Sequence, residues 1–252
     1  MTPSTVSWAL LIAVTVFGAV AQSAIGFGFA LMAVPFFLLL LEVGDAVQSA
    51  MLLSFAITLV MAAKVRRDVP RRTAVNLLLG SVVGFPLGLV FFVHAGPGLI
   101  KATVAGSILL ALAAGTHKAR TSAALADTRL NGLIAGALSG AMVTSIAMPG
   151  PAIAIYMQAV GADKAKTRST IFAVSFFSYL CAIFMHGYFH GIGVGGLKAA
   201  GWLLPLVLLG TWVGHRLSGL LSEGVFSRII SLMLLVVALY LLYSVLFIPS
   251  IP

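Results

Sequence analysis

The sequence predicts an all-α polytopic membrane protein of about ten hydrophobic segments, eight of them long, with short or re-entrant hairpins, in two inverted five-segment repeats. Three observations lead there. The residues are 61% hydrophobic and only 8% charged, with a mean hydropathy of +1.13, far from the balance of a soluble domain. Apolar runs follow one another at close to the roughly 20 residues that a spanning helix needs. The Lys and Arg residues behind the formal net charge of +9 sit in short gaps between those runs. Cations placed that way orient helices in a bilayer, and no basic domain is left over to hold nucleic acid.

The runs fall at 4–24, 27–41, 46–63, 74–93 and 98–116, then at 130–148, 151–160, 169–185, 197–215 and 226–248. The polar link HKARTSAALADTR separates the two sets. The chain therefore divides into a first transmembrane repeat (1–116), a cytoplasmic link (117–129) and a second repeat (130–252). The stretch AVAQ at 19–22 resembles a signal-peptide cleavage site, but no Lys or Arg precedes it, so an uncleaved first helix is expected. The lone Cys181 lies within an apolar run, where it reads as a core thiol without an intramolecular partner.

Loop charge fixes the topology. If all ten runs cross or dip separately, one side collects 13 Lys and Arg residues and the other only Lys101 and Lys198. If 4–41 and 130–160 were each one broken crossing, the split would fall to 9 against 6. The positive-inside rule selects the first scheme, with both termini outside. Five segments per half is an odd number, so related halves must insert upside down relative to each other, as in many secondary transporters. A shift of 122 lays GAVAQSAIGFGFA (18–30) over GAMVTSIAMPGPA (140–152), matching Gly18 with Gly140, Ser23 with Ser145 and Gly28 with Gly150. Further along, GSVVGFPL (80–87) lies over GTWVGHRL (210–217) in the same order.

Those aligned stretches are the polar interruptions of the chain. Residues 4–41 make about 57 Å of helix and 130–160 about 46 Å, too little for two crossings of a core about 30 Å thick. Each bend must then lie within the membrane, and the inverted arrangement turns the two bends toward each other. Non-helical backbone survives at that depth only against protein or a water-filled cavity. Gly26 and Gly28 permit unusual dihedrals, while Pro149 and Pro151 remove donors on either side of Gly150. A short helix is expected to start near residue 29 and another near 152, each with unpaired N–H groups and a positive dipole end. Gln22, Ser23, Thr144 and Ser145 add neutral donors. Such a set suits an anion that must bind and then leave. The four-residue glycine spacings Gly80–Gly84–Gly88, Gly132–Gly136–Gly140 and Gly210–Gly214 read instead as close helix packing.

The segments QSAIGFGFALMAVPF, GALSG (136–140), MPGPAIAIYM (148–157) and KTRST (166–170) resemble the TauE/SafE family of sulfite-exporter-like permeases. The resemblance spans nearly the whole chain, with a Pro-Gly-Pro form of the second glycine motif and fewer glycines in the first. It implies a permease for a sulfur-containing or organic anion in the bacterial inner membrane. It also matches Arg168, in RST, with the arginine of an Arg-Ala-Thr run. Arg168 opens the eighth segment, as an anion's partner or as a positive-inside anchor, and Gln48 opens the third segment as its pseudo-symmetric polar counterpart.

Other chemistries find little support. His186 and His190 have the helical spacing of two metal ligands, but no Cys or acidic residue stands nearby and Gly187 interrupts them, so no metal is expected. A Gly-x-Ser-Gly protease motif would need glycine where Ala137 stands, and no carboxylate lies mid-segment. An enzyme and a cofactor are therefore not expected. The partners expected are a small anion and the lipid bilayer, without nucleic acid; a homodimer remains open. An accessory or assembly protein is the alternative, and it would lack a polar-lined interior cavity.

The topology is testable with one cysteine. In a Cys181→Ala background, Lys164→Cys should react with an impermeant thiol reagent only from the cytoplasmic side. Reaction only from outside would overturn the inverted arrangement.

Overall fold

A computed structural model describes residues 5–26, 28–65, 68–116, 125–217 and 223–247, so most of the link at 117–129 lies outside the described residues. The described chain is all-helical: α1 (Thr5–Ile25), α2 (Phe29–Leu40), α3 (Val43–Val65), α4 (Arg71–His94), α5 (Pro97–Thr116), α6 (Arg129–Ile146), α7 (Gly150–Ala159), α8 (Lys164–Phe189), α9 (Val194–Leu217) and α10 (Glu223–Phe247). Four of them, α3, α4, α8 and α9, are long and apolar enough to cross a membrane. At 1.5 Å per residue they extend about 34–39 Å, against about 18 Å for α2 and 15 Å for α7. The two short helices are thus half-length rods.

Local chemistry sets the boundaries. The Thr128 hydroxyl accepts a hydrogen bond from the Asn131 N–H (3.2 Å) and opens α6. Asp163 caps α8 through the Lys166 N–H (2.8 Å) and pairs with the Lys166 ammonium (2.9 Å), contacts that hold its carboxyl below the usual range. Between α1 and α2 the backbone turns through Gly26 (φ 110°) and Gly28 (φ 133°), conformations that side-chain-bearing residues rarely adopt. Gly18 then lies against Phe29, so α2 doubles back along α1.

The second turn is built differently. Its left-handed residue is Ala147 (φ 59°), and the Met148 N–H closes onto the Met142 carbonyl (3.2 Å) in a Schellman-type end. Helix α7 already begins at Gly150, two residues earlier than expected, because Pro151 in a first turn gives up a donor that has no helical partner anyway.

Helix packing rests on the glycine stripes. Built onto Gly80, Gly84 or Gly88 of α4, a Cβ would fall within 3.0 Å of the backbone of Leu133, Ala137 or Ala141 on α6. Gly136 and Gly140 face the carbonyls of Leu77 and Ser81 in return, and Gly210 and Gly214 of α9 face those of Val16 and Val20 on α1. The backbones touch, so these pairs adhere by dispersion and Cα–H···O contacts without needing water to drive them together. The Ser81 hydroxyl donates to the Gly136 carbonyl (3.0 Å) and Thr144 Oγ1 to that of Phe85 (2.9 Å), adding polar links across α4 and α6. Helix α3 packs on α8 and α9, and α5 on α10. Phe29 to Pro35 of α2 are buried in the middle with Met51, Ile57 and Phe172. Outward-facing residues of α4 and α9, such as Leu87 and Trp202, are apolar as a lipid boundary requires. Cys181 belongs to that outer surface and not to the core: it is a free thiol on the exposed side of α8.

The glycine contacts predict a contrast. Gly84→Ala forces a methyl into the α6 backbone and should cost about 1–3 kcal/mol, seen as a lower Tm in detergent. Gly106→Ala on α5 meets open space and should leave Tm unchanged or raise it slightly.

Candidate functional site

The two helix breaks border one cavity. It is lined by Gln22, Gly26, Gly28, Ala30 and Leu31 from the first break and by Met148, Gly150 and Pro151 from the second. Ile171, Ser175 and Tyr179 of α8 complete the wall. The space is small, about 20 Å³, room for a single water.

At the first break Gln22 is buried, and its Oε1 accepts the Phe29 N–H at 3.0 Å. A backbone N–H can only donate, so that bond fixes the amide orientation and leaves the Gln22 NH₂ group, on a residue that lines the cavity, without a partner among the described residues. The Ser23 carbonyl, in the last turn of α1, receives the Arg168 guanidinium from α8. A cation there complements the negative end of α1. Gly26 leaves room for it, since a Cβ would come within 2.6 Å of Arg168 Cγ. Around Gly28 a Cβ would meet nothing within 4 Å, so only its backbone angle demands glycine.

At the second break the Ser139 hydroxyl donates to the Pro149 carbonyl (3.1 Å), and Tyr179 donates to that of Ala147 (2.9 Å). Exposed carbonyls of the turn are thereby satisfied. The N-cap positions of α2 and α7, Gly28 and Pro149, offer no side-chain cap, unlike Thr128 and Asp163 at the starts of α6 and α8. Both half-helices therefore bring positive ends to the cavity, and no carboxylate lines it.

Of the residues singled out from sequence, Gln22, Gly26, Gly28 and Gly150 line this space. Arg168 stands behind Gly26. The Ser23 hydroxyl is buried without a partner and lies outside the lining. Thr144 spends its hydroxyl on Phe85 and Gly140, and Ser145 on Ala141 (2.6 Å). Gln48 lies elsewhere: its amide donates to Gly191 (2.9 Å) and accepts from Gly193 (2.8 Å), beside Asp45, which accepts from the Gly196 N–H (2.7 Å). Together they clasp the turn into α9. Near the link, Asp127 accepts from Thr73 (2.7 Å) and Tyr156 (2.6 Å), tying α7 to α4. Sequence reasoning passed over Ser175 and Tyr179. The signal was there: with Ile171 they repeat every fourth residue and share one face of α8.

Paired broken helices meeting at a donor-lined cavity, inside a bundle faced with apolar residues, define a multi-pass membrane protein of transporter type. The family model described as "Sulfite exporter TauE/SafE" matches residues 10–241, and the chain belongs to that family. No curated protein and no solved structure matches it.

Arg168 gives this arrangement a stability test. Arg168→Gln should cost about 1.5–3 kcal/mol, the worth of a hydrogen bond to a charged group, while Arg168→Lys should recover part of it. Thermal unfolding of purified protein reads both. Equal Tm for wild type and Arg168→Gln would show that the α1 end does not depend on the guanidinium.

Proposed function

We propose that the chain is a permease of the bacterial inner membrane that moves sulfite, a sulfonate or another organosulfur or organic anion through a midplane site between the two facing breaks. The observation that carries this reading is the pair of half-helix N-termini opening onto one cavity lined by donors and free of carboxylates. The Gln22 NH₂ group, the Ser175 hydroxyl and the backbone around Gly28 and Gly150 hold the anion. Ser23, Thr144 and Ser145 border the breaks and join the site when it opens. Arg168 stands at the cytoplasmic end and Gln48 at the outer one. Space for one water means that an anion enters only as the cavity widens, as alternating access requires.

Packing supports the inverted repeat on which this rests. Exchanging α1–α5 for α6–α10 turns the α4–α6 contact into α9–α1, α3–α9 into α8–α4, and α1–α2 into α6–α7. It returns α3–α8 and α5–α10 to themselves. Oppositely inserted halves sharing a pseudo-two-fold axis pack in this way.

Proteoliposomes loaded with sulfite, thiosulfate, sulfonates or carboxylates in turn identify the substrate by exchange. Gly28→Leu and Gly150→Leu should each abolish exchange while remaining monodisperse. Gln22→Glu keeps the acceptor for Phe29 and replaces the free donors with a negative charge; it should fold, yet lose anion binding by at least about 10-fold. Normal exchange in Gln22→Glu would move the site elsewhere. Absence of exchange for every anion would favour an accessory role.

A further inference from the structure

We propose that His186 is a proton-binding site that couples protons to anion movement, an inference that rests on the permease reading above. His186 sits on α8 and is 1% exposed. Its Nε2 lies 2.7 Å from the Thr144 carbonyl, which can only accept, so Nε2 carries the proton and donates. That leaves Nδ1 as a basic lone pair, buried without a partner.

Its place in the fold gives that lone pair a use. Thr144 lies in the last turn of α6, whose carbonyls form the negative end of a broken helix. The corresponding end of α1 is met at Ser23 by Arg168, a permanent cation from the same helix α8. One broken helix therefore ends on a fixed charge, and the other on a side chain that becomes a cation only on taking up a proton. Carbonyl ends of broken helices are where coupling cations bind in secondary transporters built on inverted repeats. Here the cation is a proton on Nδ1.

Few groups face His186 among the described residues. From α4 the ring of Phe92 faces His186 with centroids 4.7 Å apart, and from α6 the contact is the Thr144 backbone. The titratable group acting on it is His190, one turn further along α8, exposed and also against Phe92 (5.3 Å). No carboxylate among the described residues acts on it. In the other direction Tyr179 lies seven residues back, about 10 Å along the helix, on the cavity wall. His186 thus stands between the anion site and the outer end of α8, where His190 lies. Protonation adds a positive charge near the bound anion, so proton and anion bind cooperatively and cross together. By linkage the same factor raises anion affinity on protonation and proton affinity on anion binding.

The test uses a sulfonate, whose charge does not change near neutral pH. Wild-type affinity should rise as pH falls through the His186 titration, by a factor in the range of about 5–150 typical of such coupling. In proteoliposomes, a sulfonate gradient should carry protons with it and shift a lumenal pH dye. His186→Gln keeps a donor for the Thr144 carbonyl; it should exchange sulfonate, bind it equally across that pH range and leave the dye unmoved, whereas His190→Gln should stay coupled. Pumping by His186→Gln would overturn the assignment, as would a pH-independent wild type with normal exchange. The wild-type arm decides by itself if His186→Gln fails to assemble. Failure of every anion to exchange would instead strike the permease reading.

Discussion

The two breaks of this bundle answer to one constraint: a helix interrupted inside an apolar bundle exposes backbone groups that no solvent can satisfy. An unpaired N–H or carbonyl in hydrocarbon costs several kcal/mol, so each break survives only with its own set of partners. Gln22 serves the start of α2, Arg168 the end of α1, Ser139 and Tyr179 the turn after α6, and His186 a carbonyl one turn earlier. The starts of α2 and α7, whose N-cap residues supply no side-chain cap, border the cavity.

The glycine stripes solve a different problem. Lipid is as apolar as leucine, so burying apolar side chains gives helices little reason to associate. Direct backbone contact between α4 and α6, and between α9 and α1, supplies dispersion and weak hydrogen bonds that only glycine permits. Helices α1 and α6, the ones that break, are held in this way by unbroken partners. Gly26 and Gly28 belong to another class, since they are set by positive φ and, at Gly26, by the stem of Arg168.

Much of this was legible in the sequence. Apolar runs at 27–41 and 151–160 correspond to α2 and α7 within two residues at each end, and the four-residue glycine spacing marked the packing faces. The faces of the other helices were not legible, because lipid and core are both apolar and periodicity fades; Cys181 is the residue misjudged for that reason. Ala147 as the left-handed residue of the second turn reflects how α6 closes onto Met142, a tertiary choice that composition does not encode. Gln48 and Thr144 stand out in the sequence as polar residues in apolar runs; their partners from distant segments, at Gly191 and Phe85, were not legible there. The four-residue repeat of Ile171, Ser175 and Tyr179 was visible, but it gained meaning only once α8 was known to face both breaks.

That last relationship has a mechanical side. Helix α8 is one continuous rod of 26 residues, and it holds Ser23 at one end through Arg168 and Ala147 and Thr144 further along through Tyr179 and His186. A rigid bar pinned to two hinges cannot release one of them by sliding or tilting without changing the load on the other. In the proposed permease, two gates linked by such a bar would open out of phase, and a passage continuous from one side of the membrane to the other would never form.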